Sequence, residues 1–149
     1  MLDLALHEHR GPVPLGDIAA RQDISLSYLE QLFAKLRRAG LVTSARGPGG
    51  GYRLNGAAAD VSVAQVIDAV DENVEYTRCG GERNCQRQQR CLTHDFWASL
   101  SDHVRRFLEE ATLASLTERP GIRAVAARQD GEPVHWGDPR ARIPEKGEA

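Results

Sequence analysis

Three cysteines and a histidine crowd one short stretch of the chain: Cys79, Cys85, Cys91 and His94, spaced C-x5-C-x5-C-x2-H. Thiolates and imidazole are ligands of soft and borderline metals, so the stretch reads as a metal centre. Between the cysteines stand only Gly, Glu, Arg, Asn and Gln. Nothing there can pack a core, and a metal or a disulfide has to hold the loop. A disulfide would strand one of the three thiols. The N-terminus has neither the basic nor the apolar segment of a secretory leader, which points to the reducing cytoplasm, where clustered cysteines more often bind metal. Structural zinc usually pairs ligands two to four residues apart, and five-residue gaps fit that poorly. An iron–sulfur cluster tolerates wider spacing and accepts histidine in place of a thiolate, at a higher reduction potential. On chemistry, iron–sulfur is favoured over zinc, and unligated surface cysteines are the remaining alternative. His94 starts a helix and can share a face with Cys91. Asp95 beside it either orients the ring or is simply exposed, and His103, further along, reads as a surface histidine.

The elements that must position this loop follow from periodicity. The chain has 149 residues, 41% hydrophobic and 27% charged, enough for one compact domain with appendages. No apolar run approaches the roughly 18 residues that span a membrane. A short helix carrying Leu2, Leu4, Ala5 and Leu6 is broken by residues 11–14 (GPVP). A second carries Leu15, Ile18 and Ala19, and Asp23 follows as a turn residue tolerant of left-handed backbone. The strongest periodic signal is Leu26, Leu29, Leu32, Phe33 and Leu36, one apolar face at helical spacing. Ser27 with Glu30 fits a capping box there, although Ser25 is also placed to cap. Gly40 closes this helix. Two short helices a few residues apart, the second polar and basic outside, describe a helix-turn-helix. Two strands at residues 41–45 and 52–54 around RGPGGG make a hairpin with a flexible tip, a wing. Ser62 and Gln65 form a second capping box, starting a helix with Val63, Val66, Ile67 and Val70 on one face. After His94 comes a long helix to about residue 116, with Phe96, Leu100, Val104, Phe107, Leu108 and Ala111 on one face. At about 33 Å it exceeds what a small winged domain covers, and a second copy related by a two-fold axis is the common way to cover the rest. Residues 118–149, with recurrent prolines, read as a mostly disordered tail in which Val134, His135 and Trp136 are either a docking point or a solvated accident.

The net charge of −2 argues against nucleic acid, but its distribution does not. Residues 25–55 hold Lys35, Arg37, Arg38, Arg46 and Arg53 against Glu30 alone. Residues 57–78 hold Asp60, Asp68, Asp71, Glu72 and Glu75 against Arg78. Screening confines each charge to about 8–10 Å, so the basic patch can still grip phosphate. On the outer helix face Gln31 can bond an adenine edge, Ser27 and Tyr28 can reach bases or phosphates, and Lys35, Arg37 and Arg38 can neutralise phosphates. Arg46 on its Gly-flanked tip suits a narrow minor groove. Glu30 repels phosphate unless a cytosine amine donates to it, which makes it a candidate discriminator between sequences. The alternative use of such a domain is protein contact. No nucleophile–base pair or carboxylate dyad emerges, so an enzyme is not expected.

Residues 24–33 (ISLSYLEQLF), 46–52 (RGPGGGY) and 91–97 (CLTHDFW) together resemble the IscR family of iron–sulfur cluster regulators, bacterial winged-helix transcription factors. The likeness runs from Met1 to about residue 116. It implies a mainly α fold with a small β-hairpin wing: a winged helix-turn-helix over residues 1–76, a cluster-binding loop over 77–95 and a dimerisation helix over 96–117. It also implies a 2Fe–2S cluster held by Cys79, Cys85, Cys91 and His94, a homodimer with crossing helices, and double-stranded DNA at palindromic promoter sites as partner. Base contacts would come from Ser27, Tyr28 and Gln31, with Arg46 in the minor groove and Glu30 as the residue whose fit depends on cluster state. Regulators of this kind typically control cluster-assembly genes. Two departures are visible. Family members usually start further upstream with a basic segment that helps grip DNA, so either the true start lies before Met1 or the grip is weaker. Asp23 stands where relatives often carry glycine. The competing functions are a nitric-oxide or redox sensor with a 4Fe–4S cluster, and a cluster carrier or electron-transfer protein that does not bind DNA.

Overall fold

The computed structural model describes residues 1–72 and 74–131. Its architecture is helical with one small sheet. Helices α1 (Leu2–His7), α2 (Leu15–Gln22) and α3 (Leu26–Arg38) are followed by strands β1 (Val42–Ala45) and β2 (Gly51–Leu54), then α4 (Val63–Ala69), α5 (His94–Glu110), α6 (Leu113–Thr117) and α7 (Pro120–Gly131). The core lies where α1, α2, α3, the hairpin and α6 meet, around Leu4, Ile18, Leu29, Phe33, Leu36, Val42 and Leu113. Phe33 is 2% exposed and meets the Tyr52 ring edge-on at 4.9 Å. Burying a side chain of that size stabilises by about 1.5–3 kcal/mol, and the ring pair adds about 0.5–1.5 kcal/mol.

The helix-turn-helix forms as its periodicity requires. α2 ends on Asp23, whose φ of 51° and ψ of 46° are left-handed, a region that aspartate enters more readily than most side chains. Ser25, in extended backbone, accepts from the Tyr28 main-chain N–H and caps α3. The capping pair of Ser27 and Glu30 is therefore not formed: Ser27 lies inside the first turn, and its hydroxyl stays on the outer face. Leu29, Phe33 and Leu36 are buried as expected, whereas Leu26 is 41% exposed at the helix start.

The hairpin pairs Val42 with Leu54 through to Ala45 with Gly51. It has a third member. Val13 and Tyr52 exchange two main-chain hydrogen bonds of 2.8 Å each, so the Pro-flanked segment that breaks the first helix also extends the sheet. Gly51 permits this approach, since a Cβ there would lie 2.4 Å from both the carbonyl carbon and the oxygen of Val13.

Two expectations for the C-terminal part are corrected. The long helix stops at Glu110, because Ala111 turns extended. The Ala111 carbonyl accepts from the Val63 N–H at 2.8 Å, and the Leu113 N–H donates to Val61 at 2.9 Å. Thr112 then caps α6 through a reciprocal box with Ser115, and α6 returns its Leu113 to the core. The tail expected to be disordered from residue 118 includes α7, a helix. Pro120 sits at its first position, where proline is preorganised, and an alanine-rich run follows. α7 is tied down at its far end, where Gln129 donates to the Arg21 carbonyl at 2.9 Å and Asp130 meets His7 at 2.9 Å and Arg10 at 3.3 Å. Val134, His135 and Trp136 lie outside the described residues. No helix among the described residues is long and apolar enough to cross a membrane.

Candidate metal centre and nucleic-acid interface

The cysteine loop is fastened to α5 before the first ligand is reached. Ser101, buried on α5, accepts from the Tyr76 N–H at 2.9 Å and donates to the Glu75 carboxylate at 2.8 Å. Glu75 also accepts from the Thr77 N–H at 2.8 Å, and these bonds hold its carboxyl below the usual range. Thr77, itself buried, accepts from the Gly81 N–H at 2.7 Å. This polar lock was not among the sequence-predicted features. Its one sequence signal is Ser101, a polar residue seven positions after His94 and therefore on the same inward helix face.

At the other end of the loop His94 opens α5 and is 3% exposed. Its Nδ1 lies 3.5 Å from the Cys79 sulfur and 3.8 Å from the Cys85 sulfur. The donor atoms of Cys79, Cys85 and His94 all lie within 4.8 Å of one another. Cys91 stands beside this group. Its main-chain N–H donates to the Cys85 sulfur at 3.1 Å, and its own sulfur lies 3.7 Å from the Thr93 hydroxyl. Asp95 does not orient the His94 ring; it pairs with Arg90 at 2.9 Å. The loop borders a cleft of about 520 Å³, lined by Cys85, Cys91, His94, Tyr76 and Trp97 among others.

The three sulfurs differ. Desolvation pushes the Cys79 thiol up, but hydrogen bonds from the Arg83 N–H, the Thr77 hydroxyl and the Cys85 thiol outweigh it and bring the group below the ordinary thiol value. Cys91 is lowered by the Cys85 thiol and by the hydroxyl and main chain of Thr93. Cys85 goes the other way. The Cys91 N–H favours its thiolate, yet the neighbouring sulfurs of Cys91 and Cys79 and desolvation together raise it. A metal binding there would displace any proton that the three thiols carry. Soft thiolates with one imidazole suit iron–sulfur clusters and thiophilic ions alike, so the donor set fits an iron–sulfur group.

On the opposite functional surface, Ser27, Tyr28, Glu30, Gln31 and Arg38 are all exposed on α3, and Arg46 is exposed at the hairpin tip. Glu30 makes no hydrogen bond or ion pair among the described residues, so no capping role occupies it. Lys35 is placed differently from the expectation of a free phosphate ligand. Its ammonium donates to the Val70 carbonyl at 2.9 Å and pairs with Asp71 at 3.0 Å. It fastens α3 to the end of α4. α4 is joined in turn to α5, where Arg105 grips Asp68 through two bonds of 2.7 and 2.8 Å and Glu109 through one of 2.7 Å. Along α5, Phe96 and Phe107 are exposed, and the adjacent Leu92 is fully so. The predicted apolar stripe therefore splits, with Leu100, Val104 and Leu108 only half-buried.

A winged helix-turn-helix joined to a thiol-rich ligand loop defines a class, the DNA-binding transcriptional regulators. Residues 1–119 match the family model Rrf2, described as an iron-dependent transcriptional regulator. The HTH-type transcriptional regulator IscR of Erwinia tasmaniensis is 55% identical over 134 residues, covering 90% of this chain and 81% of that protein. The IscR of Vibrio atlanticus is 55% identical over 130 residues, 87% of this chain and 75% of that protein. Among solved structures, T. potens IscR superposes with a TM-score of 0.65 at 37% identity, over 78% of this chain and 77% of that one. CymR, the global cysteine regulator of B. subtilis, gives 0.67 at 30% identity, over 77% and 84%. The chain belongs to the Rrf2 family. Its relatives are transcriptional regulators and not enzymes, in agreement with the absence of a catalytic constellation from the sequence reading.

Proposed function

We propose that this regulator senses iron–sulfur status through a 2Fe–2S cluster held by Cys79, Cys85, Cys91 and His94, and that it controls cluster-assembly genes as a homodimer on palindromic DNA sites. The observation that carries the reading is the convergence of Cys79, Cys85 and His94 on a loop locked to α5, in a chain with close relatives named IscR. The exposed apolar residues of α5, Phe96 and Phe107, supply a face for the second copy. The cluster, when bound, supplies a crosslink that depends on iron and sulfide supply and on oxidants. The remaining work falls to the chain. His94 starts α5; Arg105 of α5 holds Asp68 of α4; Lys35 of α3 holds the end of α4. A change in the loop is thus passed by ion pairs to the helix that carries Ser27, Tyr28, Glu30 and Gln31. The cluster state biases which pose α3 presents, and Glu30 discriminates between sites by accepting from a cytosine amine or repelling phosphate. Arg38 neutralises phosphate and Arg46 enters the minor groove.

The test is anaerobic purification with iron and sulfide analysis and visible absorption, followed by binding to a two-fold symmetric promoter fragment over a salt series. The expected result is two irons and two sulfides per chain, loss of colour in Cys91→Ala, and DNA affinity that falls steeply with salt. A chain that cannot be loaded with iron and sulfide would overturn the proposal. Four irons per chain would point instead to the redox or nitric-oxide sensor.

A further inference from the structure

The ligand group contains a subdivision that a four-ligand cluster does not require. Cys79, Cys85 and His94 form a compact triad with every donor atom within 4.8 Å of the others, and Cys91 lies outside that group, its sulfur between the Thr93 hydroxyl and the Cys85 thiol. A tetrahedral zinc ion has bonds of about 2.3 Å to sulfur and about 2.0–2.1 Å to nitrogen. At the tetrahedral angle those lengths put sulfur and nitrogen about 3.5 Å apart and two sulfurs about 3.8 Å apart. The observed sulfur–nitrogen separations are 3.5 and 3.8 Å. Both sulfur–nitrogen edges therefore suit a tetrahedron around one ion, and the two sulfurs lie within 4.8 Å of each other. A cluster with two irons and four protein ligands must share those ligands between two metals, so the triad would have to spread across both.

We infer that the cluster-free chain binds a single thiophilic divalent ion, zinc, through Cys79, Cys85 and His94, with solvent in the fourth position. The inference uses the donors of the proposed cluster site but does not depend on the cluster forming. Cys91 acts here through its main chain: its N–H donates to the Cys85 sulfur at 3.1 Å and so helps to hold that sulfur in place. Its thiol is not needed. The His94 side chain is fixed by burial at the first turn of α5, and the Glu75–Ser101–Thr77 lock holds the Cys79 side of the loop in register. The loop thus groups three donors for a single ion that a cluster would divide between two irons, which makes zinc a competitor for the regulator's own switch.

The experiment uses the full chain, reduced, cluster-free and anaerobic, titrated with Co²⁺ as a coloured probe and then with Zn²⁺ to displace it. One Co²⁺ should bind per chain, with the intense visible bands of a tetrahedral thiolate site. Supporting groups typically change metal affinity by about 10–100-fold. Cys91→Ser keeps its main-chain N–H and should stay within about 10-fold of wild type. Cys79→Ser, Cys85→Ser and His94→Gln should each lose more than about 100-fold, with far-UV circular dichroism unchanged because the winged core does not contain the loop. Absence of a tetrahedral Co²⁺ spectrum in wild type, or a Cys91→Ser variant as weak as Cys85→Ser, would overturn the inference. Reconstitution of the same proteins with iron and sulfide separates the two readings. Cluster formation without Co²⁺ binding sinks the single-ion site alone, and Co²⁺ binding without cluster formation sinks the cluster sensor alone.

Discussion

Replacing Gly51 by alanine tests the bridge that ties Val13 to the wing. The new Cβ would stand 2.4 Å from the Val13 carbonyl carbon and oxygen and 2.7 Å from the Pro14 nitrogen. Ordinary carbon contacts lie at about 3.5–4.0 Å, so relief requires the backbones to part by about 1 Å. Parting removes the two Val13–Tyr52 hydrogen bonds, at about 1 kcal/mol each. Residual overpacking adds up to about 2 kcal/mol. The expected loss is about 2–4 kcal/mol. With a urea slope of about 2 kcal/mol/M, the unfolding midpoint should fall by about 1–2 M. Gly49→Ala is the comparison. Its φ is +74° with open space around it, so it carries only the left-handed penalty of about 1–2 kcal/mol. Urea unfolding of the cluster-free protein, followed by tryptophan fluorescence and far-UV circular dichroism, measures both. If Gly51→Ala falls no further than Gly49→Ala, the close approach of Val13 to β2 is not what anchors the wing.

Acid should loosen the joint between α1 and α2. Burial pushes the Asp3 carboxyl up, but hydrogen bonds from Arg21 at 2.7 and 3.0 Å and from Gln22 at 2.8 Å outweigh it and lower the group below its ordinary 3.8. A depressed carboxyl contributes fully above its unfolded value and loses that contribution as pH falls through the folded one. Stability should therefore hold down to about pH 4 and decline below it. Asp3→Asn should start lower and show a flatter decline in thermal melts from pH 5 to 2. Arg46→Ala should weaken promoter binding and reduce the magnitude of the logarithmic salt slope by about 1, while leaving the unfolding free energy within about 0.5 kcal/mol of wild type; an unchanged slope would remove Arg46 from the interface. Lys35→Met should leave cluster loading intact yet make DNA affinity independent of cluster state, measured by fluorescence anisotropy with holo and apo protein. A retained holo–apo difference would mean that the α3–α4 ion pair is not the route.

The helix-turn-helix was legible because Leu29, Phe33 and Leu36 repeat at one period and bury together. The wing was legible from its glycines. What escaped the sequence depends on partners distant in the chain. Val13 looks like a breaker between prolines, and only its placement against Tyr52 makes it a bridge to the sheet. The apolar run of α5 continues past Ala111 into α6, so nothing local marks the break imposed by hydrogen bonds to Val61 and Val63. Pro120 reads as a terminator until Gln129 and Asp130, at the far end of the helix it starts, are placed against Arg21 and His7. At the candidate site the residue types announced the chemistry, but not the grouping of Cys79, Cys85 and His94 apart from Cys91. Side-chain reach was also illegible: Lys35 has the right period for the outer face, and its long stem swings to Val70 and Asp71 instead. Two nearby serines compete to cap α3, and the extended backbone of Ser25 decides between them.

The short bridge at Ala111 and Leu113 makes α5 a cantilever. Its foot is clamped to residues 61–63 by two main-chain hydrogen bonds, and its tip is His94. At 1.5 Å per residue, His94 projects about 25 Å from that foot and Arg105 only about 9 Å. A tilt of the helix therefore displaces the ligand residue nearly three times as far as the arginine that holds α4. Read in reverse, the arrangement is a reduction gear: a large rearrangement among the cysteines becomes a small displacement at Asp68, on the scale that two packed helices can follow without coming apart.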